Sequence, residues 1–61
     1  MTFEELMKTV EDTQPVMLVL RGEAITSTAY MLNTYICTET ANADVICVGA
    51  EGDVLKVWVK E

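Results

Sequence analysis

Sixty-one residues, 51% of them hydrophobic, make a chain with more apolar surface than one small core covers. A domain of this size buries only roughly 60% of what its unfolded chain exposes. A formal charge of −6, from ten acidic and four basic side chains with no histidine, excludes the clustered cations of a nucleic-acid interface and disfavours anionic membrane surfaces.

The length predicts a single domain over residues 1–61. The start Met1-Thr2-Phe3-Glu4-Glu5 lacks the basic and apolar regions of a signal peptide. No apolar run reaches bilayer-spanning length, so a cytoplasmic protein is expected. Cys37 and Cys47 form no Cys-x-x-Cys pair, and they read as small apolar side chains in a reducing compartment. A disulfide between them is the alternative.

Thr2 to Asp12 reads as the first helix. Phe3, Leu6, Met7 and Val10 draw one apolar stripe at i, i+3, i+4 and i+7. Thr2 and Glu5 have the spacing of a capping box, and Glu4 with Lys8 forms a favourable i, i+4 pair. Gln14-Pro15 ends the element, because a residue before proline is pushed out of the α region. Val16-Met17-Leu18-Val19-Leu20 is strand length and apolar on both faces, which predicts a place inside a sheet. Arg21-Gly22-Glu23 reads as a tight turn, with Ala24 to Thr26 returning as a second strand.

Ser27 to Cys37 is ambiguous between helix and strand, and the helix is preferred. Ser27 or Thr28 would cap it, and Met31, Leu32, Tyr35 and Ile36 would form its inner face. Tyr30 and Tyr35 are expected as core residues with the hydroxyl at the edge, a ligand pocket being the alternative. Thr38 to Asn42 reads as a polar loop. Val45–Val48 and Val54–Val59 flank Ala50-Glu51-Gly52-Asp53, a hairpin connection with a glycine where positive φ is needed. Leu55, Val57 and Val59 alternate with Lys56, Trp58 and Lys60, so the former set faces the core. With Ala50 opposite Asp53, Ile46 and Val48 join that face, and Val45, Cys47 and Gly49 lie beside Lys56 and Trp58. A bulged turn would exchange the two sets. The expected fold class is α+β: a small antiparallel sheet of three to four strands with two helices on one face, in the order α-β-β-α-β-β. Strand order is not legible.

No residue set points to a reaction. Without histidine there is no Ser–His or Cys–His nucleophile. Ser27 is a lone serine better placed as a cap, and Gly22, Gly49 and Gly52 are isolated and make no phosphate-cradling loop. The carboxylate pairs Glu4-Glu5 and Glu11-Asp12 fall on a helix start and a helix end, where they are solvated. Asp44, Glu51 and Asp53 match no EF-hand spacing. No catalytic residue, cofactor or metal is expected, and the chain reads as a non-enzyme.

The feature with recognition character is Trp58 between Lys56 and Lys60. An outward tryptophan offers a large, stiff contact area. Val45 and Cys47 would lie beside it, and Met17 and Val19 on the first strand would widen the patch. These seven residues are the candidate interface. The expected partners are a second copy, most simply a symmetric dimer, and a host protein, with neither nucleic acid nor membrane.

The opening Met1-Thr2-Phe3-Glu4-Glu5-Leu6, the strand Val16–Leu20, the Gly22-Glu23 turn and the closing Asp44-Val45-Ile46 with Val54-Leu55-Lys56-Val57 together resemble small acidic uncharacterised accessory proteins of bacteriophages and prophages of Gram-positive bacteria. Where those proteins carry acidic residues before a short second helix, this chain has Ser27-Thr28-Ala29. The resemblance implies a mobile-element context in which some members block or sequester host factors, and it transfers no functional residue. The expected function is a self-associating accessory protein that binds or inhibits a host protein. The alternatives are an oligomeric binder that sequesters a small molecule (through Arg21, Tyr30, Thr34 and Tyr35), an acidic nucleic-acid mimic, and a domain with no role beyond assembly.

Overall fold

Two features of the sequence set the architecture: an aliphatic run apolar on both faces, and a closing strand that is apolar on one. In the computed structural model, which describes residues 1–60, these become the central pair of a four-stranded sheet. The elements run α1 (Phe3–Lys8), β1 (Pro15–Leu20), β2 (Glu23–Thr28), α2 (Ala29–Tyr35), α3 (Thr38–Ala41), β3 (Val45–Glu51) and β4 (Val54–Val59). The sheet order is β2-β1-β4-β3. The fold is α+β with four strands, as expected, but the sheet is mixed. β1 pairs β2 and β4 pairs β3 antiparallel, while β1 and β4 run parallel, with Val16 opposite Leu55 and Leu18 opposite Val57. Each hairpin contributes its more apolar strand to the centre and leaves its more polar or glycine-bearing strand at an edge. The hydrophobic gain is largest that way, because only central strands are covered by neighbours on both sides.

The helices cover one face. Phe3, Met7, Ala29 and Leu32 pack with Val16, Leu18, Val57 and Val59 in one buried cluster, which Leu20, Val45 and Leu55 extend. The predicted capping box forms: Thr2 Oγ1 accepts from the Glu5 N–H at 3.2 Å and Glu5 Oε1 accepts from the Thr2 N–H at 2.9 Å. The bond from the Thr2 N–H, first among the causes, holds the Glu5 carboxyl below its ordinary pKa. The helix is shorter than its apolar stripe. It ends at Lys8 with Thr9 as C-cap, and the Thr9 hydroxyl donates to the Leu6 carbonyl at 2.7 Å, a local bond that competes with helix continuation.

The ambiguous segment divides. Glu23–Thr28 is strand, and Thr28 then caps α2, accepting from the Met31 N–H at 3.2 Å. That start fixes the phase of α2, and the phase corrects the expected inner face. Ala29 and Leu32 are buried and Ile36 packs beside them, a narrow stripe at i, i+3 and i+7. Met31, Tyr30 and Tyr35 are 44%, 54% and 75% exposed, so neither tyrosine belongs to the core. Thr38–Ala41, expected as a loop, is one helical turn whose Thr40 and Ala41 are buried. Packing against α1 makes it worthwhile, and its sequence carries no apolar periodicity to announce it.

In the second hairpin the turn is Gly52-Asp53, with Glu51 opposite Val54 and Gly52 at φ +58°. The pairing thus slides by one residue on each strand from the expected Ala50–Asp53 register, which preserves the faces near the turn. A bulge at Ile46 then resets the ladder, so that Cys47 faces Trp58 but Val45 faces Val59. Ile46 consequently leaves the core and is 65% exposed, while Val45 enters it. Val48 keeps the helix side of the sheet, but at an edge the helices do not reach, and stays 46% exposed.

Candidate protein-contact surface

The face of the sheet away from the helices is built by strand alternation. Its central residues are Met17 and Val19 on β1 and Val54, Lys56 and Trp58 on β4. The parallel register sets Met17 beside Lys56 and Val19 beside Trp58. Ala24 and Thr26 continue the face on β2, opposite Val19 and Met17, and Cys47, Gly49 and Glu51 continue it on β3. Met17, Val19, Lys56 and Trp58 are all half-buried, and none belongs to the helix-side cluster.

Gly49 explains how the indole lies. A Cβ on Gly49 would sit 3.4 Å from Trp58 Cζ3 and 3.7 Å from Cη2. The ring therefore spreads diagonally across Gly49, the i, j±2 contact of an antiparallel pair, and leaves its other surface outward. Lys56 is ion-paired with Glu51, another diagonal neighbour on this face. The ammonium holds the Glu51 carboxyl below its ordinary pKa and makes this margin of the face locally neutral.

Five of the seven expected interface residues thus share one face: Met17, Val19, Cys47, Lys56 and Trp58. The other two are corrected. Val45 is turned to the core by the bulge. Lys60 lies past the end of β4, where its N–H donates to the Asp44 carbonyl at 2.8 Å and the residue lines a mixed cleft with Leu20, Arg21, Glu39, Thr40 and Ala43. Sequence reasoning omitted Val54, Thr26 and Ala24. Strand parity places Val54 with Trp58 once β4 is assigned, but the two β2 residues needed the β1–β2 register.

Both cysteines are free and exposed rather than buried among apolar groups. Cys37 Sγ lies 3.1 Å from Thr40 Oγ1, and that hydroxyl holds the thiol below its ordinary pKa. Tyr35 and Cys37 border an apolar cleft of about 370 Å³ beneath α2, lined chiefly by Leu18, Leu20, Ile25, Met31, Leu32 and Ile36. Of the residues proposed for a small-molecule pocket, Tyr35 lines this cleft, Arg21 lines the neighbouring mixed one, and Tyr30 and Thr34 line neither. Those four residues are therefore not brought together at one site.

Among the described residues no three His, Cys, Asp or Glu side chains gather as a metal site, and no helix is long and apolar enough to cross a membrane. Several carboxylates are engaged within the chain: Glu4 with Lys8 at 3.2 Å, Glu5 in the capping box, and Glu51 with Lys56. No protein-family model matches this sequence, and neither a curated protein nor a solved structure matches it.

Proposed function

We propose that this chain is a non-enzymatic interaction protein of the cytoplasm, one that self-associates and binds or inhibits another protein, with the open sheet face as a contact surface. The observation that carries this reading is Trp58, half-buried and spread over Gly49, with Val19 and Met17 beside it on a face that no helix covers. Central, stiff aromatic side chains surrounded by smaller apolar groups are where binding energy concentrates, and a second sheet or a helix packs readily on such a face. The resemblance to phage and prophage accessory proteins supports a host protein as the target. The acidic surface suits a soluble chain and a basic or neutral partner.

The test is light scattering from low to high micromolar concentration, together with capture from host lysate, on the native chain and on Trp58→Ala. Truncating the indole should weaken capture of the partner protein by about tenfold or more, the effect of a hot-spot residue. A chain that stays monomeric throughout, with Trp58→Ala capturing the same proteins equally well, would overturn the reading.

A further inference from the structure

The two edges of the sheet are not alike. Leu20 faces Glu23 across the two-residue turn, which makes them a hydrogen-bonded pair, and the bonding alternates from there. Glu23, Ile25 and Ser27 therefore direct their amides and carbonyls at β1. Ala29 continues that parity, its N–H donating to the Gln14 carbonyl at 2.9 Å. Ala24 and Thr26 direct theirs outward, and among the described residues no further strand pairs with β2 on that side.

Unpaired strand edges are ordinarily guarded by bulges, prolines, lysines or a covering segment. The β3 edge has such guards: the bulge at Ile46, the Val45 N–H donating to the Met1 carbonyl at 2.8 Å, and a bridge from Thr2 to Asp44. The β2 edge has none. Its register is regular over all six residues, and Glu-Ala-Ile-Thr-Ser-Thr contains no proline or lysine.

Charge indicates what fills it. Two chains of charge −6 repel wherever acid meets acid, and Asp44 and Asp53, neither of them in an ion pair among the described residues, flank the β3 side. On the β2 side Arg21 and Glu23 offset each other, and Ala24 to Thr28 carry no charge. We propose that a second copy of this chain docks here, β2 against β2 antiparallel, about a two-fold axis between the two Ile25 residues. Ala24 then pairs with Thr26 of the other copy and Thr26 with its Ala24, satisfying the outward amides and carbonyls reciprocally. Glu23 faces serine rather than another carboxylate. Ile25 meets its counterpart on the side where Met31 and Tyr35 border the apolar cleft, and these three are 47%, 44% and 75% exposed in the single chain. Centring the axis on Thr26 instead would set Ile25 against Ser27 and forgo that contact. The result is one eight-stranded sheet whose open faces run together, with a Trp58 toward each end. This rests on the reading that the chain self-associates. It assigns that association to the β2 edge and leaves the open face to a different protein.

The experiment follows mass by light scattering and amide exchange by NMR over the same concentration range, for the native chain, Ile25→Lys, Thr26→Pro and Trp58→Ala. Thr26→Pro removes only an outward amide, a position where an edge strand accepts proline, so it keeps the test valid if Ile25→Lys is poorly folded. The native mass should rise from 6.8 kDa toward twice that. The Ala24 and Thr26 amides should slow about tenfold or more in step, as expected for newly bonded groups. Both edge variants should remain monomeric while Trp58→Ala dimerises normally. A dimer that forms with those two amides still exchanging freely, or that Trp58→Ala abolishes and the edge variants spare, overturns the edge assignment and leaves self-association standing. A native chain monomeric at every concentration overturns self-association itself.

Discussion

The two hairpins make an informative comparison. Each is closed by a two-residue turn, and each gives one strand to the buried centre and one to an edge. They differ in how well local chemistry suits the structure. The β3–β4 turn puts glycine at its positive-φ position, and its edge is bulged and bridged by the N-terminus. The β1–β2 turn forces Arg21 to φ +52° ahead of Gly22 at +76°, and its edge is bare. Only the β3 edge is hindered from pairing with a further strand, by its bulge and by the N-terminal segment. That asymmetry is expected if the other side is meant to be occupied.

The comparison breaks most visibly at the centre the hairpins share. Leu18, 1% exposed, should cost about 2–5 kcal/mol when cut to alanine. Its cross-strand neighbour Ile25, 47% exposed, should cost under about 1 kcal/mol in the isolated chain. Urea unfolding at low concentration measures both, and near-equal losses would mean that β2 is better covered than its exposure indicates. The turns should respond with opposite signs. Gly52→Ala puts a Cβ into left-handed backbone and should lose about 1–2 kcal/mol. Arg21→Asn places a residue that tolerates this conformation before Gly22 and should gain up to about 1 kcal/mol. Thermal melts of the pair decide whether strain sits in the first turn alone. Thr2→Ala removes the capping-box hydroxyl and should cost about 1 kcal/mol. If the cap also holds Thr2 against Asp44, amide exchange at the start of β3 should quicken in the same variant, with β2 unchanged.

The smallest expected effect is on pH dependence. Glu5 and Glu51 have pKa values depressed by their hydrogen bonds to Thr2 and Lys56. Their stabilisation is fully present above the ordinary carboxylate range and is lost as pH falls through the depressed values. Melting temperature should therefore decline on acidification through that range. Glu5→Gln should remove the part due to Glu5, and Lys56→Met the part due to Glu51. An unchanged acid limb in both variants would show that these bonds do not couple to folding.

Much of this was legible in the chain. The capping box needed only Thr2 and Glu5 at the right spacing, and β1 needed only five consecutive aliphatics. Leu55, Val57 and Val59 were assigned to the core by period-two alternation, and Trp58 to the other face by the same rule. The errors share a cause. Ile46 and Val45 exchanged places because a bulge is one inserted residue with no compositional mark here. Met31, Tyr30 and Tyr35 were expected inside because they are large and apolar, but α2 takes its phase from Thr28 and presents Ala29, Leu32 and Ile36 instead. Thr38–Ala41 became helical through burial against α1, which no local pattern foretold. Five residues of the open face were named from three strands, starting from the tryptophan, but Ala24 and Thr26 on β2 were missed, because only the pairing register reveals that they share the face.

What the sequence by itself determined is local: where α1 and the strands start, which side of β4 is apolar, and that 61 residues bear a surplus of hydrophobic surface. These follow from backbone sterics, capping and side-chain periodicity, which act over a few residues. Only the tertiary structure decided that β1 and β4 lie side by side in parallel, that every helix falls on one face, and that one edge is guarded while the other is open. Those outcomes depend on which distant segments bury the most apolar area together, and a short-range pattern does not encode that comparison.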